Sequence, residues 1–296
     1  LSKAHHPHFL RLINFSRSDP MSITLEAAGP DLDTLRFKFL DSELPPVAAV
    51  HLSAQLLAGI SDLHGMGLLH LSVQPSHAVI GLGAKAATVY LVGLGGVRRV
   101  GTRLKRSFQH HPKQAYAPLR MPDDIPTVMD DFQGWFFTMM DLFARKKLPW
   151  MTPENDRKWA DPFMYPRMTD EKKKLVTDEG GCLSSLGLNK QVLEMARLIF
   201  SQTESTNDLS IYKELKDMLS KILVENGCGG LYPRFDWEES GPTAAIRTYI
   251  LGENHVAGER PNTTMSESQE QESEIDKLRR LNVKQYIMVA AKNSDE

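Results

Sequence analysis

The stretch "HLSVQPSHAVI", residues 70–80, lies between an apolar run of helical periodicity and the strand-like "ATVYLVGLGG" at 87–96. A polar loop framed by a buried helix and a short strand is where a rigid scaffold presents side chains for chemistry or binding. The side chains offered here are Ser72, Gln74 and His77, with neither a carboxylate nor a lysine among them. How this loop is read decides whether the chain performs chemistry with unusual residues or keeps a scaffold whose chemistry is gone.

Working outward, "ELPPVAAVHLSAQLLAGISDLHGMGLLH" sets Val50, Ala54, Leu57, Ile60 and Leu63 three and four residues apart. That spacing predicts a long, mostly buried helix beginning after Pro45-Pro46. The β-branched and aromatic run Thr88 to Val92 predicts a strand ended by "GLGG". "DDFQGWFFTMMDLFARK", 130–146, is apolar nearly all round in its middle and predicts a helix central to the core, stopped by "LPW". Helical spacing recurs in "NKQVLEMARLIFSQ" and "SIYKELKDMLSKILVEN", so the folded part is expected to be mainly helical. From about residue 241 the composition turns to Gly, Thr, Ser, Glu and Gln, the signature of a disordered polar tail; within it, "KQYIMVA" is a candidate docking segment.

Composition sets the outer limits. With 296 residues, 41% hydrophobic and 24% charged, the chain can bury a substantial core in one large or two small domains. A net charge of −2 excludes a generally basic surface, so attraction to acidic partners must come from a local patch. The two cysteines, Cys182 and Cys228, have neither CxxC spacing nor a histidine cluster nearby, which points away from a disulfide framework and from zinc. No apolar run approaches the ~20 residues of a membrane helix. "LSKAHHPHFL" lacks the apolar segment of a secretion signal. The expected location is therefore cytoplasmic or nuclear, with no membrane partner.

Six pieces of the chain resemble, in order, the large lobe of eukaryotic protein kinases, with details of the casein kinase I and tau-tubulin kinase group. "AGPDLDTLR" at 28–36 is similar to that group's segment after the hinge, and "HLSVQPSHAVI" to the catalytic loop H-R-D-x-K-P-x-x-N. "VYLVGLGG" resembles the strand ending in D-F-G, and "YAPL" the Y-A-S step. "DDFQGWFFTMMDLFARKKLPW" resembles the D-D-x-E-S helix followed by L-P-W, and "YPRFDWEE" the closing P-x-D-W-E. The resemblance implies an α+β, protein-kinase-like fold, predominantly the helical large lobe, with most of the small lobe missing from the chain. It divides the sequence into a remnant of the small lobe and hinge approach (1–26), the large lobe (27–240) and the polar tail (241–296).

In that group the loop Asp orients the substrate hydroxyl, the Lys neutralises the phosphoryl group, and the Asn and the D-F-G Asp hold magnesium. The matching positions here are Ser72, Gln74, His77 and Gly93; the Arg beside the Asp is Leu71, and the Thr before the Y-A-S step aligns with Lys113. The architectural residues His70, Pro75, Gly95 and Asp131 remain. The resemblance implies that Asp131 bonds backbone amides of the loop. Magnesium takes oxygen ligands, carboxylates above all, and neither Gly93 nor His77 supplies one. Removing a single electrostatic stabiliser costs ~10²–10³ in rate. The expectation is a pseudokinase with no catalytic residue, no metal and no cofactor, any ATP binding being weak and magnesium-independent.

Other chemical readings of the same residues are weaker. Ser72 as a nucleophile would need His70 turned toward it across an extended segment. His77 as a metal ligand, like "HHPH" at 5–8 and "HH" at 110–111, lacks a third convincing partner. "GLGGVRRVG" has neither GxGxxG spacing nor a following helix, so it does not read as a phosphate loop. The glycine-rich loop and strand Lys of the family are not found in the chain.

From Leu63 to Pro122 there is no Asp or Glu. With 37 acidic residues in 296, a window of that length would carry about seven. It does carry Lys85, Arg98, Arg99, Arg103, Lys105, Arg106, Lys113 and Arg120. A solvated basic face is the ordinary meaning of such a run. In the kinase frame, however, it covers the catalytic and activation segments. Arg98, Arg99, Arg103, Lys105 and Arg106 are then the expected surface for an acidic or phosphorylated protein segment. Nucleic acid is disfavoured, since aromatics are not interleaved and the chain is slightly acidic. The sequence reading is thus a binding or scaffolding module, with a divergent ATP-dependent Ser/Thr kinase as the competing one.

Overall fold

Pro46 opens the second helix of the chain, where a missing amide proton costs nothing, and Gly67 at φ +71° turns the backbone out of it. The computed structural model describes residues 6–19, 21–39, 44–103, 114–119, 125–151, 164–201 and 210–228. In chain order it contains β1 (Leu12–Ser16), β2 (Ser22–Leu25), α1 (Leu32–Phe39), α2 (Pro46–Gly65), β3 (Leu68–Leu69), β4 (Ala78–Ile80), β5 (Val89–Leu91) and β6 (Arg98–Arg99). The helices α3 (Val128–Ala144), α4 (Met164–Val176), α5 (Lys190–Phe200) and α6 (Ser210–Glu225) follow.

The core is the packing of α2 against α3, with α5 and α6 closing over them. Val50, Leu57, Ile60 and Leu63 of α2 are buried as their spacing predicts, and Phe132, Trp135, Phe136 and Met139 of α3 are fully enclosed. Trp135 also satisfies its polar edge, donating Nε1–H to the Ser53 carbonyl at 2.8 Å, as a buried indole must. The helix begins at Val128 rather than 130, because the Asp130 carboxylate accepts the Thr127 amide at 2.6 Å and caps the first turn. On α6, Ile211, Leu215, Leu219 and Ile222 face inward at helical spacing.

The sheet elements are short antiparallel pairs, and their nesting builds the site. β4 pairs with β5 in the register Ala78↔Leu91, Val79↔Tyr90, Ile80↔Val89. Outside that pair, β3 meets β6, Leu68 opposite Arg99 and Leu69 opposite Arg98. The loop 70–77 and the turn 92–97 therefore leave the two ladders side by side. Gln55 of α2 fastens this unit to the helices: its amide donates to the Ala87 carbonyl and its carbonyl accepts the Val89 amide, both at 2.8 Å.

Two helices and one hairpin were not expected from the sequence. α1 buries Leu32, Leu35 and Arg36, and α4 buries Met168, Lys172 and Leu175, too few apolar positions for periodicity to announce. β1 and β2 form a hairpin in the segment read as a small-lobe remnant, with Leu12, Ile13, Phe15 and Ile23 exposed. Among the described residues no helix is long and apolar enough to cross a membrane. "YPRFDWEE", Lys113, the tail from 241 and "KQYIMVA" lie outside the described residues.

Candidate functional site

The loop is clamped from below by α3. Asp131, 1% exposed, accepts the His70 amide on Oδ2 at 2.7 Å and the Leu71 amide on Oδ1 at 2.6 Å. Two consecutive amides can converge on one carboxylate only if the chain between them bends sharply. Directly after the two amides the chain turns again, Leu71 standing at φ +61°, a left-handed conformation that costs a residue with a side chain about 1–2 kcal/mol. A third donor, the His64 ring from the end of α2, reaches Oδ2 at 2.8 Å through Nε2. Farther along, the Thr138 hydroxyl of α3 lies between the Gly134 carbonyl of its own helix at 2.9 Å and the Val73 carbonyl of the loop at 3.2 Å.

His70 is wholly buried, and its Nε2–H donates to the Val92 carbonyl at 2.8 Å. Its Nδ1 accepts the Ser72 amide at 3.3 Å. Burial pushes this imidazole down from its ordinary pKa, outweighing the nearby Asp131 charge, so both ring nitrogens serve the neutral form. The ring is committed to the backbone and does not activate the Ser72 hydroxyl.

The outer face of the loop offers Ser72, Gln74 and His77, with neither a carboxylate nor an ammonium group. His77 donates Nδ1–H to the Ser72 carbonyl at 2.8 Å. The Gln74 amide nitrogen, on a side chain buried with its residue at 3% exposure, lies 3.0 Å from His77 Nε2 and donates to the Ser72 hydroxyl at 3.3 Å. Pro75 begins the single turn Pro75–His77 that aims the ring, and the Val92 amide donates to the His77 carbonyl at 2.8 Å. Across the gap stands Gly93 at φ +76°. A Cβ there would lie 2.5 Å from His77 Cγ and 2.6 Å from its Nδ1. The imidazole thus occupies the volume into which a side chain at 93 would project.

These residues do not fit magnesium. Of the two positions matched to metal ligands, one has no side chain and the other is an imidazole bonded to the protein's own backbone. Among the described residues no group of three or more His, Cys, Asp or Glu is placed to hold a metal ion.

The basic segment divides. Arg98 is half-buried, and its guanidinium turns back onto the Gly95 carbonyl at 3.3 Å and the Val97 carbonyl at 2.8 Å, so it secures the turn that contains Gly95. Arg99 and Arg103 are exposed. Lys105 and Arg106 lie outside the described residues. Beyond them, Tyr116 donates its hydroxyl to Asp141 Oδ2 at 2.8 Å, and Asp141 also holds Arg36 at 2.9 Å and Arg145 at 2.8 Å. Burial and that carboxylate push the Tyr116 phenol well up, keeping it a donor. Lys172 of α4 donates to the Ala117 carbonyl at 2.8 Å with its ammonium 4.5 Å from the Phe137 ring centre. The segment after the basic run is thereby anchored to α3 and α4.

Comparison with known proteins agrees with this architecture. Over 153 residues, 48% of this chain, it is 28% identical to the putative serine/threonine-protein kinase ZK507.1 of Caenorhabditis elegans. Over 144 residues it is 29% identical to that organism's putative serine/threonine-protein kinase ZK507.3. A longer similarity, 24% over 268 residues, covers 86% of this chain and 67% of the C. elegans serine/threonine-protein kinase spe-6. The matched stretches span 46% and 36% of the first two relatives, less than half of each. No protein-family model matches the chain. The similarities support a place in the protein kinase superfamily and a protein-kinase-like fold.

Proposed function

We propose that this chain is a degenerate member of the casein kinase I and tau-tubulin kinase group that binds an acidic or phosphorylated protein segment and transfers no phosphate. The observation that carries the reading is the His77 ring seated against Gly93, bonded to Ser72 and beside Gln74. At the positions where the family keeps its metal ligands, catalytic Asp and Lys, Ser72, Gln74 and His77 bond one another without a carboxylate or ammonium, and His77 packs on Gly93. Without a divalent cation, the repulsion within a polyphosphate and the charge developing on its leaving group go uncompensated. Binding is supported by the acid-free segment, whose Arg99 and Arg103 are exposed and of a type that suits bidentate contact with carboxylate or phosphate. No cofactor is needed for this role.

Two experiments separate this reading from a divergent ATP-dependent Ser/Thr kinase, which the names of the relatives favour. Phosphate transfer to casein-like or tubulin-like substrates with magnesium or manganese is expected to stay at the level of a mock preparation; metal-dependent transfer lost on His77→Ala would establish the enzyme. Calorimetry with a phosphorylated or Glu-rich peptide should show binding that weakens steeply with salt, since exposed charges are screened over ~8–10 Å near physiological ionic strength. Arg99→Glu with Arg103→Glu should abolish that binding at unchanged melting temperature. Equal binding by both proteins would remove the patch from consideration.

A further inference from the structure

Asp131 anchors the loop, but its own geometry is set from farther away. An ionised carboxylate only accepts, so the His64 Nε2 that meets its Oδ2 at 2.8 Å must carry a proton. In the neutral imidazole the other nitrogen, Nδ1, is then an acceptor and needs a donor, because the His64 side chain is only 2% exposed. That donor is the hydroxyl of Tyr212 on α6, hydrogen-bonded to His64 Nδ1. Burial, and next the Asp131 charge, push the Tyr212 phenol up from its ordinary pKa, so it keeps its proton. The phenol ring is held in place independently, 4.8 Å from the Phe132 ring and 5.9 Å from the His64 ring, centre to centre.

We propose that Tyr212 is a positioning residue for the loop: a relay from its hydroxyl through His64 and Asp131 to the amides of His70 and Leu71 lets helix α6 set the loop's conformation. The components lie on four separate elements, and each has one role in the donor and acceptor order. Tyr212 fixes the His64 tautomer, His64 fixes the Asp131 rotamer, and Asp131 holds Leu71 in a left-handed conformation it would otherwise leave. Loss of the phenol hydroxyl leaves His64 Nδ1 buried without its donor, so the imidazole can turn or exchange its proton between nitrogens. The carboxylate then loses one of three donors. A change in α6, including one imposed from the sequence on either side of it, would in this way reach the loop without touching it.

The test is Tyr212→Phe, which removes only the hydroxyl, read by peptide-resolved amide hydrogen exchange and by ¹⁵N chemical shifts of the His64 ring. Exchange at residues 68–74 should rise on the order of 10-fold, exchange in α5 should stay as in the wild type, and the His64 signals should move from one fixed tautomer toward a mixture. In an Asp131→Asn background the same change should leave loop exchange where Asp131→Asn alone puts it. Unchanged loop exchange in the single variant would overturn the relay, as would a rise of equal size in α5, which marks general loosening. Should Tyr212→Phe fold poorly, His64→Leu keeps the proposal open to refutation, since it removes both the partner of the Tyr212 hydroxyl and the donor to Asp131: exchange at residues 68–74 should rise while α5 stays as in the wild type, and unchanged loop exchange would overturn the relay.

Discussion

Where the loop at 70–74 meets α3, a buried carboxylate gathers three donors; where the same loop faces Gly93, an imidazole, an amide and a hydroxyl engage one another. The two sides are only a few residues apart and answer to different requirements. The inner side is held by a folding penalty: loop amides buried without an acceptor would each cost about 1–3 kcal/mol. The outer side carries no such obligation, because its side chains bond one another without a buried carboxylate to satisfy. A scaffold of this kind can keep its geometry while its outer face is rebuilt.

The inner side should be the more sensitive of the two to substitution. Asp131→Ala leaves two buried amides and the His64 ring without an acceptor, and chemical denaturation should register a loss of roughly 3 kcal/mol or more; a change within about 0.5 kcal/mol would mean that the carboxylate is dispensable. On the outer side, Gly93→Asp should lower stability by about 2–3 kcal/mol, from the left-handed backbone and the overlap with His77. Combining it with His77→Asn should return part of that loss, the two changes coupling by roughly 1 kcal/mol or more. Simple additivity would show that the ring does not fill the space.

A smaller effect concerns pH. Because burial lowers the pKa of His70, the unfolded chain binds more protons than the folded one below the ordinary histidine value of ~6.5. The full stability is therefore present above that pH and declines as pH falls beneath it. Relative to His70→Asn, the wild type should lose stability more steeply between about pH 6.5 and 5, the remaining histidines cancelling in the difference. Parallel slopes would indicate that His70 titrates normally.

Much of this was legible beforehand, for identifiable reasons. α2 and α3 declared themselves because both are enclosed on most sides, so their apolar positions repeat without interruption. α1 and α4 did not, since each buries only a few residues, including the charged Arg36 and Lys172, which periodicity counts as solvent-facing. The pairing of Asp131 with the loop followed from resemblance rather than from spacing, as 60 and 61 residues separate the partners. Nothing in the sequence connects Tyr212 to His64, 148 residues away, because such a contact depends on how α6 crosses the core. Arg98 was expected at the surface with its neighbours; its pairing with the carbonyls of its own turn depends on a backbone path that charge patterning does not reveal.

The central claim is that the position at which a kinase holds its metal is filled by protein. Paramagnetic broadening tests it: Mn²⁺ with ATP is added to the labelled protein, and amide signals of residues 70–77 and 92–95 are followed in the wild type and in a Gly93→Asp, His77→Asn double variant. The account predicts no selective broadening in the wild type and broadening of both segments in the double variant, where oxygen ligands are restored. Selective broadening of the His77 and Gly93 signals in the wild type would contradict it.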